Sequence, residues 1–247
     1  PTFLLLLVLA VPALARVISY APYTDQVAFP AVQHRMNRHF VLVESKPGTM
    51  FMASQLVIYD SKGEKAPAVI YPQDGSNVSI TAAAVRENSA GVPSILIQVT
   101  HTGGLRFMLS TEGGATWKTV AIDNNVNLSH VMSSIDVGGP FAGGRGSAIR
   151  IGTDANPFIV ANREAVFAVS AGGTARNVLT ATNPRLIGTD REGRRVLVQT
   201  GTQIQTLDTV TGAVSNSIAV SGNNLSEGWV TPSGSAYVHE WTSGSNT

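Results

Sequence analysis

The chain has 247 residues and no cysteine, so no disulfide can hold it together and its fold must rely on a sizeable core. Charge is also scarce: Asp, Glu, Lys and Arg make up 13% of the residues and leave a formal net charge of +1. No strong field draws nucleic acid or anionic lipid, and a nucleic-acid partner is not expected. The basic residues are mostly Arg and lie scattered, and the longest cluster, Asp190 to Arg195, mixes signs. Helix-forming runs are missing as well, since no stretch of Ala, Leu, Glu and Lys recurs with a period of about 3.6 residues. The nearest candidate, "AVQHRMNRHF", already turns strand-like at Phe40.

One apolar run stands out, at the start. "PTFLLLLVLAVPALARV" carries no charge from Phe3 to Leu14 and ends Ala13-Leu14-Ala15 before Arg16. A membrane span needs roughly 20 apolar residues, so residues 1–15 read as a secretory signal peptide, with a buried strand or helix as the structural alternative. Its basic leading region and initiator Met are missing, which suggests a truncated start. Residues 16–247 are then expected to form a secreted or periplasmic domain with no membrane span.

The composition favours turns and strands, with 24 glycines and abundant Ser, Thr, Asn and Val. Apolar segments such as "RHFVLVES", "SQLVIYD", "PSILIQVT", "LRFMLS", "PFIVAN", "AVFAVS", "RRVLVQT" and "TQIQTLD" recur between turn residues. They also repeat in pairs. "RIGTDANPFIVAN" (Arg150 to Asn162) overlies "LIGTDREGRRVLVQT" (Leu186 to Thr200), and "GWVTPSGSAYVHEW" from Gly228 has the same shape. A second hairpin is read after each of these, marked by Gly63, Gly114, Gly173 and Gly212, which are 51, 59 and 39 residues apart. Two hairpins make a four-stranded antiparallel unit of about 40–50 residues, the size of a propeller blade. The long step holds a Gly-rich insertion, Val137 to Ala148. The fold class is therefore all-β, a β-propeller of four-stranded antiparallel blades. A β-sandwich would share the strand spacing but not the paired order of turns.

The turn "STEGGATW", Ser110 to Trp117, resembles the Asp-box of sialidase-like (BNR-repeat) propellers, Ser-x-Asp-x-Gly-x-x-Trp. Ser110, Gly114 and Trp117 match, and Glu112 stands where Asp is usual. The resemblance implies a structural turn between the third and fourth strands of a blade, on the rim and away from ligand sites. A short acid there would accept hydrogen bonds from the turn's own amides, Gly would supply a positive φ, and Trp would pack over the blade edge. Glu112 is one methylene longer than the usual Asp, which leaves its reach to the turn amides open.

The same family includes hydrolases, whose active sites gather three arginines on a substrate carboxylate beside a Tyr–Glu pair and an Asp acid/base. The family's Phe/Tyr-Arg-Ile-Pro motif does not occur; "AIRIG" with Arg150 comes closest. Arg35, Arg38, Arg106, Arg150 and Arg185 fit strand ends, where an isolated Arg is usually a solvated surface residue. His34, His39, His101, His130 and His239 show no metal spacing, and Asp123 to Asn127 lacks the Gly and Glu of a calcium loop, so neither metal nor cofactor is expected. The insertion reads first as a plain surface excursion; the alternative is a candidate ligand loop over the pore face, with Phe141 and Arg145 among small residues.

From Arg16 to Thr247 the chain has room for about four to five blades at 45–50 residues each. It stops midway through the last, so an incomplete fragment is expected. The function expected is a binding or scaffold module for a carbohydrate or protein partner, rather than an enzyme. A sialidase-like glycoside hydrolase completed by further blades is the alternative, and an assembly factor of membrane complexes a third reading.

Overall fold

The computed structural model describes residues 38–48, 53–101, 104–122, 149–161, 164–220, 225–231 and 234–241. All regular structure among them is strand. Chain order is sheet order. The first sheet contains β1 (His39–Ser45), β2 (Ser54–Asp60) and β3 (Ala68–Tyr71). The second contains β4 (Ser79–Glu87), β5 (Pro93–His101), β6 (Gly104–Ser110) and β7 (Lys118–Thr119). A short strand, β8 (Ala121–Ile122), leaves it for the rim of the third sheet. There it joins β9 (Ile149–Ile151), β10 (Phe158–Ala161), β11 (Ala165–Val169) and β12 (Thr174–Thr180). The fourth sheet contains β13 (Arg185–Thr189), β14 (Arg195–Thr200), β15 (Gln203–Asp208) and β16 (Val214–Ala219), and the fifth β17 (Leu225–Val230) and β18 (Ala236–Trp241). Among the described residues, successive strands of a sheet pair antiparallel, and only β8 pairs parallel, along β12.

The first sheet supplies the outer three strands of its blade. Its β2–β3 turn holds Gly63, the counterpart of Gly114, and the start of β1 meets the end of β4, where the His39 amide donates to Glu87 Oε1 at 2.8 Å. β1 therefore runs against β4, as a second strand runs against the first strand of the next blade.

Burial on both faces of each sheet distinguishes this architecture from a sandwich. In β5, Ile95, Ile97 and Val99 pack with Val41, Val43, Leu56 and Ile70 of the first sheet. The alternate residue Leu96 packs with Phe158, Val160 and Phe167 of the third. In β10, Ile159 and Ala161 turn the other way, onto Leu186, Val196 and Val198 of the fourth. Leu197 of β14 then meets Val230 of the fifth. Successive side chains on a strand point to opposite faces, so the runs Ile95–Ile97 and Val196–Val198 are apolar throughout because each face has its own neighbour. Four apolar layers between five sheets in chain order constitute a β-propeller arrangement. The innermost strands stand side by side, β4 by β9, β9 by β13 and β13 by β17. No helix among the described residues is long and apolar enough to cross a membrane.

Candidate functional site

The second, third and fourth blades each present two hairpin turns on one face. The second-hairpin turns open on Asp60, Ser110, Ser170 and Asp208, each with a side-chain oxygen that accepts amides of its own turn. Each turn then reaches its marker glycine in the left-handed region, with φ of 68° at Gly63, 92° at Gly114, 90° at Gly173 and 76° at Gly212. Such side-chain caps supply the bonds that a tight turn denies its amides. In the third and fourth blades this turn is tied to the first hairpin, where Ala171 N donates to Ala155 O and Thr209 N to Arg194 O.

Of the residues matching the resemblance, Ser110 performs the capping. Its hydroxyl, 1% exposed, accepts Gly114 N at 2.9 Å and Glu112 N at 3.3 Å. The Glu112 carboxylate instead accepts the Thr116 hydroxyl at 2.8 Å, in solvent. Ser110→Ala leaves a buried amide unpaired and should cost about 1–3 kcal/mol in urea unfolding, whereas Glu112→Ala should stay within about 0.5 kcal/mol.

Trp117 and Gly114 reach across to the preceding blade. Trp117 Nε1 donates to Ile70 O at 3.0 Å, and its ring meets Tyr71 edge-on at a centroid distance of 5.0 Å. A Cβ on Gly114 would lie 2.7 Å from Ile70 Cβ, so only glycine lets the two approach. The same clasp recurs at the next two interfaces. Lys118 Nζ donates to Ala171 O at 2.6 Å, with its stem against Gly173, and Arg176 Nη2 donates to Val210 O at 2.9 Å. The outer strand of one blade thus grips the second turn of the following blade.

The ionisable groups of this face tie the frame together. Arg38 binds Asp60 through Nε at 2.9 Å and Nη2 at 2.6 Å, and also reaches Glu64. His39 Nδ1 lies 2.7 Å from Glu87 Oε1, joining the first and second blades. Arg86 pairs with Asp154 at 2.6 Å, joining the second and third, and Arg194 with Asp208 at 2.9 Å within the fourth. Arg38 holds Asp60 well below the usual carboxylate range, and Arg86 lowers Asp154. Asp190, 4% exposed, runs the other way, raised by burial although it accepts Arg194 N at 2.8 Å. Carboxylates lowered in the folded state stabilise it fully above their unfolded value of about 3.9, and that stability is lost as pH falls through the folded values. Asp190 contributes the opposite slope. Resistance to thermal unfolding should therefore weaken on acidification from roughly pH 5 to pH 3, less steeply in Asp60→Asn; an unchanged slope would remove Asp60 from that account.

The arginines named from sequence are spread out. Arg106 is exposed on β6. Arg150 is 4% exposed on β9, opposite Ile159 and so on the side facing the fourth blade. Arg185 donates to Gln199 Oε1 at 3.2 Å. A Tyr–Glu pair does exist: Tyr59 OH donates to Glu44 Oε1 at 2.5 Å, which pushes the phenol up to about 12. Its position, across β1 and β2, was not anticipated; cross-strand spacing is a pairing property that sequence alone does not display. Arg35, Phe141, Arg145, Asp123 to Asn127 and residues 1–15 lie outside the described residues. Among the described residues, no three His, Asp or Glu side chains are grouped to hold a metal ion.

No family model matches the chain, and neither does any curated protein. Several solved structures resemble it. YCF48 bound to D1 peptide matches at 10% identity and a TM-score of 0.40, over 83% of this chain and 53% of that one. Apo AztD from Citrobacter koseri matches at 14% identity and a TM-score of 0.47, over 83% and 52%. PorZ, a surface component of the type-IX secretion system of Porphyromonas gingivalis, matches at 10% identity and a TM-score of 0.37, over 91% and 35%. The chain spans about half the length of the first two. Its assignment as a propeller rests on the sheet order and two-sided burial described above.

Proposed function

We propose that the chain is an exported, sialidase-like (BNR, Asp-box) propeller that serves as a binding or scaffold module for a protein or carbohydrate partner. One observation carries the preference for binding over hydrolysis. The guanidinium groups of Arg38, Arg86, Arg176, Arg185 and Arg194 are each engaged at a different place, with carboxylates, carbonyls or an amide of the frame. A site for a sugar carboxylate needs such forks free and converging. The resemblance is supported by Ser110, Gly114 and Trp117, which together cap, bend and anchor one outer turn. The apolar opening to Leu14 supports export.

The hydrolase reading is favoured by one feature, the Tyr59–Glu44 contact. A nucleophilic phenol needs its proton removed easily, and Glu44 does the reverse by accepting a hydrogen bond from the neutral form. The two readings separate in one experiment on the full-length protein, combining a fluorogenic sialoside assay with a glycan array. Saturable glycan binding without turnover is the expected result. Turnover abolished by Tyr59→Phe would establish the hydrolase instead.

A further inference from the structure

We propose that Asn77, in the turn between β3 and β4, is an acceptor for N-linked glycosylation from a lipid-linked oligosaccharide. The site depends on the export proposed above, because only a translocated chain meets such a donor. Asn77-Val78-Ser79 satisfies the acceptor pattern Asn-x-Ser/Thr with a residue other than proline in the middle. Two other triplets do so, Asn127-Leu128-Ser129 and Asn224-Leu225-Ser226, but both asparagines lie outside the described residues. Other described asparagines, such as Asn88, Asn177 and Asn183, lack a hydroxyl two positions on.

A triplet alone is common in a chain rich in Asn and Ser. At Asn77 it coincides with a carboxamide held at the surface with its nitrogen outward. Asp74 Oδ1 accepts Ser76 N at 2.9 Å and Gly75 takes a left-handed φ of 71°, which shapes the turn. It joins the end of β3 to the start of β4, so it lies at the opposite end of these strands from the hairpin turns. Asn77 itself is exposed. The Lys46 ammonium, which also reaches the carbonyls of Gly75 and Ser76, donates to Asn77 Oδ1 at 3.1 Å. An ammonium can only donate, so the carboxamide must turn its oxygen towards Lys46. Nδ2 therefore points away, and among the described residues it has no hydrogen-bond partner. The space around the turn is open, since a Cβ added at Gly75 would meet nothing within 4 Å.

Transfer forms a bond from the anomeric carbon of the sugar to Nδ2. The bond from that carbon to the pyrophosphate oxygen breaks, the lipid pyrophosphate leaves with the electron pair, and one Nδ2 proton is released. The linked group is still an amide with a carbonyl oxygen, so the Lys46 contact survives. The bulky glycan then stands on a surface loop, clear of the two buried faces of β4.

The test translates the full-length protein with microsomal membranes. Protection from added protease reports translocation, and each glycan adds one endoglycosidase-sensitive step in mass. A protected chain whose Asn77 peptide carries a glycan is the expected result. Asn77→Gln should remove one step and leave the chain protected, and Ser79→Thr should keep that step. A protected chain with an unmodified Asn77 peptide would overturn this inference alone, even with Asn127 or Asn224 occupied. An unprotected, unmodified chain would overturn the export reading along with it.

Discussion

Gly188→Val is expected to destabilise the protein by more than about 3 kcal/mol, enough to leave much of a typical domain unfolded. Gly188 sits on β13, where that strand runs beside β17, and a Cβ there would lie 1.7 Å from Gly228 O and 2.5 Å from Gly228 C. Those are backbone atoms and cannot swing aside. Gly228 has no room to retreat, because its own Cβ position lies 2.5 Å from Tyr237 O. The strands must therefore separate, which opens the apolar layer of Ile187, Leu197, Ile204 and Val230 behind them. Gly63 provides the contrast. Its φ of 68° favours glycine, yet nothing lies within 4 Å of its Cβ position, so Gly63→Ala should cost only the left-handed strain of about 1–2 kcal/mol. Urea unfolding of both variants decides the matter: comparable small losses would mean that the inner strands do not pack as described.

Much of this was legible beforehand, and the reason is local. Strand positions follow from apolar runs between turn residues, and the four marker glycines from the polar cap placed three or four residues ahead of each, as in Asp60 to Gly63 and Ser110 to Gly114. What sequence hid was the partner of each group. Trp117 was expected to pack over the blade edge; its partners there are Ile70 and Tyr71 of the preceding blade. The Gly-Thr-Asp turns at Gly152 and Gly188 look identical but behave differently. In the first, Thr153 Oγ1 caps Asn156 N, and Asp154, 47% exposed, reaches Arg86 on the neighbouring blade. In the second, Asp190 is buried and caps the turn itself. The loop lengths and the left-handed Gly193 set that difference, and only the folded turn displays it. The two-residue β8 was too short to register as a periodic segment at all.

The central claim is that radial sheets follow one another in chain order, each buried on both faces, and Leu96 and Ile97 test it most directly. They are neighbours on β5 and both 0% exposed, one packed toward the third blade and the other toward the first. Truncating a buried Leu or Ile to Ala typically costs about 2–5 kcal/mol. Urea unfolding of Leu96→Ala and Ile97→Ala should therefore show losses of that size in both. A sheet with one wet face would lose stability at one of the two and stay within about 0.5 kcal/mol at the other, and that asymmetry would contradict the account.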